Sequence, residues 1–133
     1  MKIGKRRKSI GEYEELLEWV RELVEESAGG SPIIVEGRRD LEALRALGII
    51  GEIIIYKSPR QLIEKIRSVK TNHIVLLLDI DEEGYKKTIY VKKFLEGRVR
   101  NIDLTYWNRL KRFKRLGITT IQSLPHTLKR MEA

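Results

Sequence analysis

The chain has 133 residues, a length that fits one domain, with 41% hydrophobic and 35% charged residues and a formal net charge of +8. It holds no cysteine, which excludes disulfides and thiolate metal sites, and no apolar run approaching the roughly 20 residues of a membrane span. The start, MKIGKRRKSIGEY, is basic but lacks the apolar stretch of a secretory signal, so a cytoplasmic protein with no membrane partner is expected.

Taken in chain order, residues 1–10 read as a flexible basic tail and 11–133 as a single domain. Tyr13, Leu16, Leu17, Val20, Leu23 and Val24 recur at helical spacing over 11–27, and Gly29-Gly30-Ser31-Pro32 ends that helix. The run 32–35 is short, apolar and suited to a strand buried on both faces, and a helix over 38–47 is closed by Gly48. A second strand is expected at 53–56. Ser58-Pro59 then opens a helix through about 67, with proline at its first position. A third strand at 73–78, a helix at 82–95 and a fourth strand at 99–104 follow, with helical patterns over 106–116 and 120–131. Strands alternating with helices at these lengths predict an α/β fold, with a parallel sheet of about four strands and helices on both faces.

Charge is unevenly placed. Residues 1–8 carry five bases and no acid, 9–30 seven acids and one base, and 98–133 nine bases and two acids. That asymmetry points to a polyanionic partner. Abundant Glu, Lys, Arg and Ile beside two Gln and three Asn also resembles hyperthermophile composition.

Against this basic background, four of the five residues 79–83 are acidic. In an open parallel sheet ligands gather at the carboxyl ends of the strands. The first strand ends in Glu36-Gly37 and the third in Asp79-Ile80-Asp81, which brings both clusters to one edge. In extended backbone Asp79 and Asp81 share a face, so three carboxylates are expected to converge. A hard divalent cation, Mg2+ or Mn2+, would relieve their repulsion. The plain alternative is that Asp81 caps the helix beginning at Glu82, with Glu82 and Glu83 favouring its positive end, and that Glu36 pairs with Arg38 or Arg39. Gly37 and Gly84 each permit close backbone approach or an unusual dihedral.

IIVEGRRDLEALRALGI at 33–49 and VLLLDIDEEG at 75–84 together resemble the Toprim domain of topoisomerases, bacterial-type primases, OLD-family nucleases and a ribosomal-RNA maturase. The likeness spans 31–104 and is nearest to the small stand-alone Toprim proteins of archaea. It implies a compact, Rossmann-like Toprim fold with Glu36 as general acid/base and possible metal ligand. Asp79 and Asp81 would then hold magnesium, and Asp40 would orient the site, with Gly37, Glu83 and Gly84 in support. No domain bearing a topoisomerase nucleophile is in view. Haloacid-dehalogenase phosphatases place their Asp-x-Asp near the first strand, and response-regulator receivers carry the acidic pair there, so neither pattern fits as well.

The expected activity is magnesium-dependent phosphodiester chemistry, a nuclease-type cleavage of RNA or DNA with RNA favoured. The alternative is a non-catalytic, metal-binding RNA-binding module of a ribonucleoprotein. Arg38, Arg39, Lys86 and Lys87 near the metal edge are candidate phosphate contacts, as are Arg109, Arg112 and Arg115 in the basic part, 105–133. Tyr106, Leu110, Phe113, Trp19 and Trp107 are expected in the core, and His73 and His126 in structural roles.

Overall fold

A computed structural model describes residues 2–132, with the side chains of 2–10 outside the description. The chain forms a four-stranded, all-parallel sheet flanked on both faces by helices. Its elements are α1 (Lys2–Ala28), β1 (Ile33–Val35), α2 (Arg38–Ala46), β2 (Ile53–Ile55), α3 (Pro59–Val69), β3 (His73–Leu76), α4 (Glu82–Leu95), β4 (Asn101–Asp103), α5 (Thr105–Leu110) and α6 (Leu124–Glu132). Two 3-10 segments, Lys111–Leu116 and Ile121–Ser123, join α5 to α6. Among the described residues no helix is long and apolar enough to cross a membrane.

The caps follow from the local sequence. The Ser58 hydroxyl accepts from the Gln61 N–H at 3.3 Å, with Pro59 opening α3. Gly48 takes φ +102 after α2, the left-handed geometry that suits glycine at a helix end. Two expectations differ. Helical backbone runs from Lys2, so the segment read as a loose tail continues α1. The pattern over 106–116 also divides, α5 ending at Leu110 and tightening to a 3-10 turn up to Gly117, while residues 121–123 form a separate 3-10 turn before α6.

Strand alternation divides the core. Ile33, Val35, Ile53, Val75 and Leu77 join the cluster beneath α1, α2, α5 and α6; Ile34, Ile54, Ile74, Leu76 and Leu78 join that beneath α3 and α4. Both faces of β1, β2 and β3 are therefore covered, as a parallel sheet requires, while β4 at the edge is only partly buried. Trp19, wholly buried, anchors α1: its Nε1–H donates to the Tyr106 carbonyl at 2.9 Å. The strand order β2-β1-β3-β4 means that the chain leaves β1 towards one edge and β3 towards the other. The crevice of such a sheet opens between the carboxyl ends of β1 and β3.

Candidate functional site

Glu36 follows β1 directly and Asp79 lies three residues beyond β3, so both stand at that crevice. Glu36 Oε1 accepts from the Asp79 backbone N–H at 3.2 Å, and its Oε2 lies 3.4 Å from Lys87 Nζ on α4. A cavity of about 320 Å³ opens there, lined by Glu36, Gly37, Arg38, Arg39, Asp40, Asp79 and Gln122.

Asp40 sits at the third position of α2 and is buried, its Oδ2 accepting from the Gly37 N–H at 3.0 Å. Burial raises its pKa; backbone hydrogen bonds from Gly37 and Gln122 pull down, and Glu36 pushes up. Asp79 is lifted to about 7, first by burial, then by Asp40, with Glu36 and Asp81 adding repulsion against a backbone hydrogen bond from Ile121. That bond runs from the Ile121 N–H to Asp79 Oδ1 at 3.2 Å. The 3-10 turn Ile121–Ser123 therefore presents its amides to the acids. These donors escaped the sequence reading because a backbone N–H has no residue signature; Gln122, also overlooked, lines the cavity by the same turn.

Asp81 does not join Asp79 in this cavity. Regular strand ends at Leu76, so the two-residue alternation no longer governs residues 79–81, and Asp81 caps α4 by accepting from the Gly84 N–H at 2.7 Å. The capping alternative thus describes its contact, although its charge still reaches Asp79. Glu82 and Glu83 are exposed in the first turn of α4, outside the cavity lining. Gly84 is demanded by packing: a Cβ there would lie 2.1 Å from the Asp79 carbonyl oxygen. Gly37 has ordinary extended backbone, and a Cβ there would meet nothing nearer than 3.8 Å, so the internal geometry does not require glycine at that position.

The basic residues separate into two groups. Arg38 and Arg39 line the cavity, Lys87 pairs with Glu36, and Lys86 is exposed on α4. Arg109 and Arg115 instead turn to the acidic helix α1, pairing with Glu22 and Glu12, and Arg112 lines a cleft with Glu15 and Glu18.

The cavity's acids offer hard oxygen donors, and their mutual repulsion is the electrostatic condition that a divalent cation relieves; the donor set fits Mg2+ or Mn2+. Among the described residues, the only three carboxylate or imidazole ligand atoms within 4.8 Å of one another belong elsewhere, to Glu26, His73 and Asp103. His73 Nε2 stands 3.3 Å from Asp103 Oδ2 and 3.9 Å from Glu26 Oε2 at the start of β3, the end remote from Asp79. Residues 26, 73 and 103 are too far apart in the chain for spacing to reveal this cluster.

No protein-family model matches the chain. It is 35% identical over 102 residues to a UPF0292 protein of Thermoplasma volcanium, covering 74% of this chain and 83% of that one. It is 34% identical over 114 residues to a UPF0292 protein of Methanocaldococcus jannaschii, covering 84% and 88% respectively. A solved structure of a protein from Aquifex aeolicus superposes with TM-score 0.68 at 26% identity, over 80% of this chain and 94% of that one.

Proposed function

The chain belongs to the UPF0292 family, and for this member we propose a Toprim-type site that performs magnesium-dependent phosphodiester cleavage on nucleic acid in the cytoplasm. The observation carrying this reading is the meeting of Glu36 and Asp79, from two strands, at the sheet's switch point.

Glu36 and Asp79 would hold the cation, with Asp81 reaching it only after giving up its cap. When bound, Mg2+ would polarise the phosphodiester and stabilise the charge on the leaving oxygen. The chain's own groups supply the rest. Glu36 accepts the proton of the attacking water as the oxygen–phosphorus bond forms and the bond to the leaving oxygen breaks. Lys87, paired with one Glu36 oxygen, keeps that carboxylate oriented. Asp40 fixes the turn from β1 into α2 through the Gly37 amide, a positioning role. Arg38 and Arg39, exposed at the cavity, hold substrate phosphates.

The test is cleavage of labelled RNA and DNA in Mg2+ or Mn2+. The wild type should cut, and Glu36→Gln combined with Asp79→Asn should lose at least about 100-fold in rate, the lower range of a general base's contribution. Equal cleavage by the double variant rejects the assignment. One observation favours the non-catalytic RNA-binding alternative: Asp81 serves α4 and does not share the cavity. Metal-dependent RNA binding with no turnover by the wild type would decide for it.

A further inference from the structure

Among the described residues, three of the four large hydrophobic side chains that stand exposed lie on one helix, α4: Tyr85 (48%), Ile89 (50%) and Tyr90 (58%). The exposed positions between and beyond them are lysines, 86, 87, 92 and 93. Tyr85 and Ile89, four residues apart, share a face. Core packing explains neither Ile89 nor Tyr90, and a surface that alternates aromatic rings with cations matches a polyanion that also offers flat apolar faces.

Tyr85 is the most organised of them. Its ring leans on the buried Trp107, centroids 5.6 Å apart and planes at 33°. Lys111 Nζ lies 3.8 Å from the Trp107 centroid and 5.2 Å from that of Tyr85. Beside the pair opens a cavity of about 380 Å³ lined by Ile80, Asp81, Glu82, Tyr85, Lys111 and Lys114. It adjoins the candidate site covalently through Ile80 and Asp81, and by the Trp107 indole N–H, which donates to the Asp79 carbonyl at 3.3 Å.

We propose that the Tyr85 ring, backed by the buried Trp107, is the floor of a subsite that stacks one unpaired base of a single-stranded nucleic acid beside the Glu36–Asp79 site. The proposal deepens the functional reading above and rests on it. The wall chemistry orients the occupant. Asp81 and Glu82 accept hydrogen bonds and repel phosphate, so they face the N–H groups of a base edge. Lys111 and Lys114, from the 3-10 segment after α5, take the flanking phosphates. A duplex keeps its base faces covered, so the subsite selects single strands.

The test uses short RNA and DNA oligonucleotides carrying 2-aminopurine, titrated with protein in EDTA so that no metal-dependent cleavage intervenes. Wild type should quench the single-stranded probe on binding. Tyr85→Leu should abolish the quenching and weaken single-strand affinity at least about five-fold, the lower range for one stacked base. Tyr85→Phe, which keeps the ring, should restore both, and affinity for a blunt duplex should not depend on residue 85. Unchanged quenching and affinity in Tyr85→Leu overturn the subsite while leaving Glu36-dependent cleavage in Mg2+ untouched. Failure of the wild type to bind either strand form, in EDTA and in Mg2+ alike, overturns the nucleic-acid reading itself, and the subsite with it.

Discussion

At the scale of single residues, Asp79 concentrates the chemistry and carries a testable cost. Burial, Asp40, Glu36 and Asp81 raise its pKa from the ordinary 3.8 to about 7. Below pH 3.8 the carboxyl is protonated folded or unfolded, and it contributes no pH dependence. Between about 4 and 7 the folded chain holds a proton that the unfolded chain has released, so stability falls as pH rises, and above 7 the loss is complete. Asparagine at this position cannot ionise. Thermal unfolding followed across pH should therefore show Asp79→Asn gaining on the wild type from pH 4 to 7, with the gain level above that. A difference independent of pH would mean that Asp79 ionises like an exposed acid. The proposed Mg2+ site needs the carboxylate, so added Mg2+ should raise the wild type's midpoint more at pH 8 than at pH 5, and that of Asp79→Asn little at either. Glu36 and Asp79 were legible in the sequence because type and strand position both mark them. The orientation of Asp81 was not, because it depends on where regular strand gives way to turn.

Among the elements, what the periodicity of the sequence conveys is which segments pair with which face. All four strands lie within the segments that the sequence marks as strands, the first as a short apolar run bounded by turn residues, and α4 has the bounds that its acidic start and last leucine suggest. The C-terminal part was less legible. Tyr106, Leu110 and Phe113 are buried as expected, but a 3-10 turn buries a similar stripe, so the pattern cannot say where α-helix tightens. The contact between elements that matters most to the site is the start of α4 against the end of the β3 segment, at Gly84. Gly84→Ala would set a methyl group 2.1 Å from the Asp79 carbonyl oxygen, with backbone on both sides and no flexible side chain to give way. Gly84→Ala should cost about 1–3 kcal/mol, the usual range for overpacking, in urea unfolding monitored by Trp fluorescence. It should also slow the proposed cleavage in the surviving folded protein, because α4 and Asp79 must move apart. Wild-type stability with wild-type rate would mean that the contact relaxes without disturbing the site.

Across the whole molecule, the net charge of +8 overstates what faces a partner on the C-terminal side. The acidic stretch of α1 and the basic one after β4 answer each other, Glu22 to Arg109 and Glu12 to Arg115, with Arg112 beside Glu15 and Glu18. Read as linear sequence these are two opposite charge blocks; folded, they are two sides of one helical layer. Among the described residues, exposed cations around the cavity and along α4 include Arg38, which also pairs with Glu42, Arg39, Lys86, Lys93 and Lys114; a second set, Arg60, Lys65, Arg67 and Lys70, lies on and beside α3. A ligand's phosphates displace counterions in proportion to the contacts they make, so the slope of log affinity against log salt counts those contacts. Arg38→Gln and Arg39→Gln should each lower binding of a single-stranded oligonucleotide and reduce that slope by roughly one. Arg109→Gln and Arg115→Gln should leave the slope within error of the wild type and instead lower stability by about 0–1 kcal/mol each, the usual worth of partly exposed ion pairs. Filter-binding titrations from roughly 50 to 200 mM salt, the range over which phosphate contacts lose most of their affinity, separate the two groups. The reverse result, with slope lost at 109 and 115 and kept at 38 and 39, would move the nucleic-acid surface to the α1 side and away from the carboxylates.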